Sequence, residues 1–256
     1  MIDRMPVLFI GHGSPMNAIE ENEFSRAWME AGNVLPHPTA ILCISAHWET
    51  SGTRVTAMDK PRTIYDFYGF PPELYAMKYH APGSPTLAQH ICNLIGLDEI
   101  LPDLTWGLDH GTWSVLTRLF PKADVPVVQL SLDINKATGV HYDMGRKLIA
   151  LRDEGVLIIG SGNIVHNLRM VVFDDTAFNW AVEFDGKVKK WILENDHEPI
   201  INYKKQGRSA ELAINSAEHF KPLLYVLGAK ETGEPVRFFT EKLWGGSLSM
   251  RSVWIG

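Results

Sequence analysis

Residues 7–17, with the sequence VLFIGHGSPMN, join a short apolar run directly to a histidine that stands between two glycines. The run at 7–10 is apolar at every position, which is typical of a strand buried on both faces of a sheet. The same pattern recurs at 40–44, 125–132 and 156–159. These four runs predict the strands of one central sheet.

Helical patterns lie between and after these strands. Apolar residues spaced along one helix face predict helices over 24–31, 84–95, 112–120, 137–152, 178–193 and 216–227. Strands that alternate with helices predict an α/β fold with helices on both faces of the sheet. At the C-terminus, 236–240 and 247–255 flank Gly245 and Gly246, which predicts an antiparallel hairpin and therefore a mixed sheet.

The composition is that of an ordinary globular chain. Of its 256 residues, 45% are hydrophobic and 21% are charged, which excludes a disordered chain. The sequence contains neither an internal repeat nor a linker-like stretch, so we expect one domain over residues 1–256. The formal net charge is -6 and the basic residues form no dense patch, so we expect no nucleic-acid partner.

Signals for membrane insertion and secretion are not apparent in the sequence. The longest apolar runs, such as 223–227, are far shorter than the ~20 residues that a membrane helix requires. Residues 1–4 (MIDR) lack the basic and apolar layout of a signal peptide. Cys43 and Cys92 can form neither a disulfide framework nor a thiolate zinc site. We expect a cytoplasmic protein with two half-buried thiols and no membrane partner; the sequence predicts no particular oligomeric state.

Three of the predicted strands run into segments that contain a histidine. His12 follows the first strand, His47 follows the second, and His166 follows the strand at 156–159. Ligands of open α/β sheets bind beyond the carboxyl ends of the strands, so these imidazoles should meet in one crevice. Imidazole is the commonest side chain for binding zinc and iron, and we therefore expect a metal site there. The glycines at 160–162 lack the spacing of dinucleotide-binding and P-loop motifs, which disfavours phosphate binding.

Two further histidines lie in segments that differ from the surface stretches. His110 stands in WGLDHGTW (106–113), where aromatic residues and glycines predict a pocket wall, although Asp109 beside it could equally cap a helix. His219 stands near the start of the apolar helix predicted over 216–227, where most single histidines are helix-end residues beside the helix dipole. The other histidines fall in stretches typical of surface loops or solvated helix faces, and we expect no role for them: His37, His80, His90, His141 and His197.

Five motifs follow one another along the chain: GHGSPM (11–16), SAHW (45–48), DHGTW (109–113), SGNIVHN (161–167) and HFKPLLYVLGA (219–229). Together they resemble the 4,5-DOPA extradiol dioxygenase family, with the bacterial members the nearest in pattern. That family belongs to the class III extradiol ring-cleavage superfamily, with the β subunit of protocatechuate 4,5-dioxygenase. The resemblance runs from residue 7 to GSLSM (246–250). It implies a metal-dependent oxidoreductase that opens the ring of a catechol, such as DOPA, by 4,5-cleavage with molecular oxygen.

The resemblance also implies roles for individual residues. His12 and His47 match the two histidine ligands of the metal. His219 matches the third ligand position, which is a glutamate in the protocatechuate enzymes. His166 matches the histidine that acts as acid and base beside the metal, and His110 matches a second pocket histidine near the substrate.

A histidine at position 219 bears on the identity of the metal. Non-haem Fe(II) oxygenases usually use two histidines and one carboxylate, whereas an all-nitrogen set is a familiar zinc arrangement. We expect Fe(II) for activity and Zn(2+) in the purified protein, where His166 could close a four-histidine shell. Glu218 and Glu49 are the nearby carboxylates. On one helix Glu218 and His219 would point about 100° apart, so we do not expect both to face the metal.

The sequence alone does not decide which residues form the substrate pocket, and it leaves two alternative functions open. Trp48, Trp113 and Tyr65 could form an aromatic wall, or could be ordinary core and surface residues. The basic partners available to a substrate carboxylate are Arg62, Lys60 and Arg54. The alternatives to a dioxygenase are a zinc-dependent hydrolase, in which a metal-bound water is the nucleophile, and a non-catalytic metal-binding signalling relative of the same fold.

Overall fold

An eight-stranded mixed β-sheet forms the centre of the computed structural model, which describes residues 4–172 and 176–256. The strands of the chain are β1 Val7–Gly11, β2 Ala40–Thr50, β3 Thr53–Thr56, β4 Ile100–Asp103, β5 Val127–Asp133, β6 Val156–Gly162, β7 Val236–Phe239, β8 Leu243–Trp244, β9 Leu248–Ser249 and β10 Ser252–Ile255. Their order in the large sheet is β4-β3-β5-β2-β6-β1-β10-β7. The central strands β5, β2, β6 and β1 are parallel.

The C-terminal strands make the sheet mixed, as the sequence predicts. β10 pairs antiparallel with β1 on one side and with β7 on the other. Gly245 and Gly246 form the turn between β8 and β9, which are a separate antiparallel pair, and both glycines have positive φ. β10 and β7 therefore extend the parallel centre of the sheet with antiparallel strands.

Helices cover both faces of the sheet, which confirms the predicted α/β fold. They are α1 Glu23–Val34, α2 Pro72–Ala76, α3 Pro85–Ile95, α4 His110–Leu119, α5 Thr138–Leu148, α6 Ala150–Asp153, α7 Asn179–Leu193, α8 Glu198–Ile201, α9 Arg208–Ala213 and α10 Lys221–Gly228. β2 shows why its run is apolar throughout. Leu42 and Ile44 pack into the core under α3, α5, α7 and α10, while Ile41 and Cys43 pack into the core under α1 and α4.

Several predicted boundaries differ from the observed ones. β2 continues to Thr50, because its backbone pairs with β5 again after a register shift, so His47 lies within the strand. β6 likewise continues to Gly162, which pairs with the end of β1, so the residues at 160–162 belong to the strand that the sequence predicts only over 156–159. α10 begins at Lys221, with a proline in its first turn, and His219 therefore lies in the turn before the helix.

One smaller expectation, the burial of the two cysteines, also changes. Cys43 and Cys92 are both free and fully buried, rather than half-buried, because each packs within a hydrophobic core. Across residues 4–172 and 176–256, no helix is both long enough and apolar enough to span a membrane. Of the N-terminal residues considered for a signal peptide, 1–3 lie outside the described part of the chain, and the expectation of one domain stays a prediction.

Candidate metal and catalytic site

Five histidines lie together at the carboxyl ends of the parallel strands. The rings of His12, His47 and His219 form a nearly equilateral triangle, with centroid distances of 5.0, 5.0 and 5.3 Å. The ring of His110 adjoins this triangle at 3.8 Å from His47, and that of His166 adjoins it at 3.4 Å from His219. All five candidate site residues therefore meet in one place.

Two glycines allow the segments that carry these histidines to approach each other. A Cβ atom at Gly111 would lie 2.6 Å from Ser45 Oγ and 2.8 Å from Cδ2 of His47. A Cβ atom at Gly162 would lie 2.1 Å from the carbonyl oxygen of His219. Any larger residue would force these segments apart, so the two glycines set how closely the imidazoles can gather.

A buried serine fixes the orientation of His12. Ser161 Oγ donates its hydrogen to the carbonyl oxygen of Gly111 at 2.6 Å, so it accepts a hydrogen bond from Nδ1 of His12 at 2.9 Å. His12 therefore carries its proton on Nδ1. Its Nε2 keeps a free lone pair, which is the form that binds a metal.

Carboxylates hold the other two rings of the triangle in the same way. Nδ1 of His219 lies 3.0 Å from Oε1 of Glu218. Nδ1 of His47 lies 3.4 Å from Oδ2 of Asp66, a longer contact. A carboxylate is an acceptor, so both rings hold their proton on Nδ1 and keep a lone pair on Nε2.

The separation of two of these lone pairs fits a shared cation. Nε2 of His12 and Nε2 of His47 are 3.2 Å apart. With both protons on Nδ1, the two atoms face each other as acceptors. Two ligands with metal–nitrogen bonds of about 2.0–2.1 Å on a tetrahedral ion would be separated by about 3.3 Å. The residues present therefore fit a metal ion.

Burial keeps these imidazoles neutral. It lowers the pKa of His12 and of His219 far below the ordinary value, and the neighbouring imidazoles lower both further. Burial, helped by His110, likewise lowers the pKa of His47 to about 3. Neutral imidazole is the metal-binding form, so the site is ready for a cation near neutral pH.

Ligand-atom distances also define two separate groups of potential metal ligands. The atoms of each group lie within 4.8 Å of one another, and the groups are His12, His47 and His110, and His166, Glu218 and His219. The ring triangle takes two members from the first group and one from the second.

Glu218 is closer to the site than the sequence indicates. The expectation that Glu218 and His219 point apart assumed that both lie on one helix. They lie instead in the turn before α10, where the Glu218 carboxylate bonds the ring of His219. The other nearby carboxylate, Glu49, pairs with the ammonium group of Lys221 at 3.4 Å.

His110 has an acidic partner that sequence reasoning missed. Asp109 caps α4 by accepting from the backbone N–H of Thr112, which was one of the two expectations for it. The side chain of His110, by contrast, bonds Asp66, whose Oδ2 lies 2.9 Å from Nδ1. Burial opposes ionisation of Asp66, but its bonds and its attraction to His110 hold its pKa below the usual value. The only signal available was an acid inside an aromatic stretch, YDFYGF at 65–70.

His166 stacks on His219 rather than meeting it edge to edge. The two rings are inclined by only 8°. Burial lowers the pKa of His166 to about 4, with Glu218 opposing that shift. The ring is therefore neutral near pH 7 and can accept a proton.

The aromatic residues surround the site differently from the expectation. Trp48 stacks on Trp106 at 5.4 Å. Tyr65 and Trp113 do contact each other, at 6.1 Å. The ring that reaches the histidines is Phe67, which lies edge-on to His110 at a centroid distance of 5.5 Å and was not singled out in the sequence.

The structure also places the basic candidates for a substrate carboxylate and the histidine at position 141. The guanidinium of Arg54 lies 3.8 Å from the carboxylate of Asp103, while Lys60 and Arg62 are exposed. The role of these basic residues as partners of a substrate carboxylate stays a prediction. His141, expected on the surface, is instead fully buried. It lies on the face of α5 that packs against α10, and its Nδ1 is 3.0 Å from the hydroxyl of Tyr225.

Comparisons with known proteins agree with this site. The family model described as the catalytic LigB subunit of aromatic ring-opening dioxygenase matches residues 7–245. The chain is 49% identical to the 4,5-DOPA dioxygenase extradiol of Escherichia coli (strain K12), over 99% of this chain and 95% of that protein. It is 39% identical to the 4,5-DOPA dioxygenase extradiol of Beta vulgaris, over 95% of this chain and 94% of that protein.

A solved structure has the same fold. The crystal structure of an uncharacterized protein from Escherichia coli K12 matches with a TM-score of 0.86 and 45% sequence identity. The match covers 99% of this chain and 100% of that one.

Proposed function

This chain belongs to the family of the catalytic LigB subunit of aromatic ring-opening dioxygenases, and we propose that it is an extradiol dioxygenase in which His12, His47 and His219 bind the metal. The arrangement of these three imidazoles carries the proposal. Each Nδ1 faces an acceptor and the rings stand 5.0–5.3 Å apart. Given the metal–nitrogen bond length, two imidazoles on one ion have centroids about 5 Å apart.

The ring geometry argues against His110 and His166 as ligands of that ion. His110 lies too near His47, at 3.8 Å between centroids, for both rings to point at one ion. His166 is stacked on His219, so its lone pairs lie in a plane parallel to the plane of the ligand ring. This geometry favours the acid–base role of His166 over the four-histidine zinc shell.

We propose Fe(II) as the active metal and a catechol such as DOPA as the substrate, because relatives at 49% and 39% identity are named 4,5-DOPA dioxygenases. An all-imidazole triad also suits Zn(2+), which should bind readily in the purified protein. Fe(II) held by His12, His47 and His219 would bring the catechol and dioxygen together and would lower the pKa of the catechol hydroxyls.

The protein residues then handle protons and orientation. Neutral His166 accepts a proton from a catechol hydroxyl and returns it during ring opening. His110 directs its free Nε2 toward the substrate, since its Nδ1 is bonded to Asp66. Phe67, edge-on to His110, provides an apolar surface for the aromatic ring.

An oxygen-uptake assay separates this proposal from the alternatives. The protein is loaded anaerobically with Fe(II) and given oxygen with DOPA, 4-methylcatechol, dopamine and 3,4-dihydroxyphenylpropionate. We expect uptake with at least one catechol. Hydrolysis of esters or amides by the Zn(2+) form, without oxygen uptake, would instead indicate a hydrolase. Full metal binding with neither reaction would indicate a non-catalytic relative.

A further inference from the structure

Asp66 holds His110 by two hydrogen bonds at once. Its Oδ1 accepts the backbone N–H of His110 at 2.9 Å, and its Oδ2 contacts ring Nδ1 of the same residue at 2.9 Å. Asp66 lies in the loop between β3 and α2, 44 positions before His110 in the chain. One carboxylate therefore clamps both the backbone and the ring of a residue at the start of α4.

This double contact fixes which nitrogen of the ring carries the proton. The backbone N–H can only donate, so Oδ1 must accept. The ionised carboxylate has no hydrogen to give, so Oδ2 must accept as well. His110 is thus held as the Nδ1–H tautomer, which leaves Nε2 as an acceptor on a ring whose centroid lies 3.8 Å from that of His47.

We infer that Asp66 is a positioning residue for ring opening, which keeps His110 in the tautomer whose Nε2 accepts a hydrogen bond from the substrate. The inference rests on the proposed function, because it assigns a task to the pocket histidine of that reaction. It does not rest on helix capping, because Asp109 already caps α4. The contact of Asp66 with His47 is longer, at 3.4 Å, so the main effect falls on His110.

Asp66→Asn tests this clamp with almost no change in shape. The amide oxygen must still face the backbone N–H of His110, because the opposite orientation would place two donors against each other. The amide NH2 then faces Nδ1, which has to become an acceptor. The variant therefore switches His110 to the Nε2–H tautomer and converts the acceptor in the pocket into a donor.

Imidazole ¹⁵N NMR on the metal-free protein reads the tautomer directly. The His110 signals are assigned by their loss in His110→Gln. We expect a protonated Nδ1 in the wild type and a protonated Nε2 in Asp66→Asn. A wild-type His110 protonated on Nε2, or an unchanged tautomer in the variant, would overturn the inference whatever the enzyme activity.

Kinetics of the Fe(II)-loaded protein provide the second readout. Measured per bound Fe(II), Asp66→Asn should keep its KM for the catechol within about threefold, while kcat falls by roughly 10²–10⁴-fold. Asp153→Asn, at an acid that pairs with Arg4 away from the histidine cluster, is the matched control and should keep kcat. An unchanged kcat, or metal loss as severe as in His12→Ala, would refute the positioning role. If the wild type takes up no oxygen with any catechol, the proposed function fails and the tautomer result alone decides the inference.

Discussion

The imidazole rings of His166 and His219 stack face to face, with centroids 3.4 Å apart and planes inclined by 8°. The lone pairs of an imidazole lie in the plane of its ring. An ion in the plane of His219 would therefore lie about one ring thickness out of the plane of His166. The stack separates a residue suited to binding the metal from one suited to moving a proton.

This relationship leads to a prediction for His166→Ala. The variant should keep most of its Fe(II) and still bind catechol, but cleave it 10²–10⁴-fold more slowly, because it lacks the acid–base group. Metal analysis and single-turnover cleavage on one sample measure both quantities. Metal loss as severe as in His12→Ala, without a separate kinetic defect, would make His166 a ligand.

Removal of a metal ligand should instead reduce the amount of bound metal. His12→Ala and His47→Ala should each lose most of the bound metal, because two imidazoles cannot replace the three-ring set. His90→Ala is the control, since His90 lies away from the site. Its Nε2 is 3.0 Å from Oε1 of Glu154. A full metal complement in both ligand variants would show that these residues do not bind the ion.

Ser161→Ala tests the residue that orients His12. Loss of the acceptor on Nδ1 should weaken metal affinity by roughly 10–100-fold while the fold is retained. Ser209→Ala removes another buried serine hydroxyl, one that bonds Glu183 on the surface of α7, and serves as the control. Metal titration of the two variants decides the point; equal affinities would mean that Ser161 only packs.

His141 gives a prediction for the pH dependence of stability. Burial, with a smaller effect from the charge of Lys221, lowers its pKa to about 4 in the folded protein, against about 6.5 in an unfolded chain. Between pH 4 and pH 6.5 the ring of His141 binds a proton in the unfolded chain but not in the folded protein. The contribution of the neutral, buried ring to the free energy of unfolding is therefore complete above pH 6.5. It is lost as pH falls toward 4, and its full size is about 3 kcal/mol.

The test compares the unfolding free energy of wild type and His141→Gln from pH 4 to pH 7. The wild type should lose more stability than the variant as pH falls through this window. His90→Gln, at an exposed histidine, should keep the slope of the wild type. Parallel curves for wild type and His141→Gln would show that the buried ring does not contribute.

Sequence alone could predict the sheet and the histidine cluster for identifiable physical reasons. Ile41 and Leu42 face opposite cores, so a strand covered on both sides must be apolar throughout. His12 follows β1 and His47 lies near the end of β2, the two parallel strands on either side of β6, and parallel strands share one carboxyl edge. Their meeting therefore follows from strand order, whereas their roles as metal ligands stay predictions.

The remaining features depend on contacts that sequence patterns do not encode. Asp66 reaches His110 only because the loop after β3 folds back over α4. The pairing of His219 with Glu218 depends on where α10 begins, and Pro222 in the first turn was the signal for that boundary. His141 lies on a helix whose pattern looked solvated, but α10 packs directly against it.

The most direct test of the central claim is the mass of the product that the Fe(II)-loaded wild type forms from DOPA under oxygen. An extradiol dioxygenase adds both atoms of O2, so the product should have the mass of DOPA plus one O2, or that mass less one water where the amine condenses with the new aldehyde. Oxygen consumption should match DOPA consumption one to one. A product that has only lost two hydrogens, or unreacted DOPA beside a fully metal-loaded protein, would contradict the account.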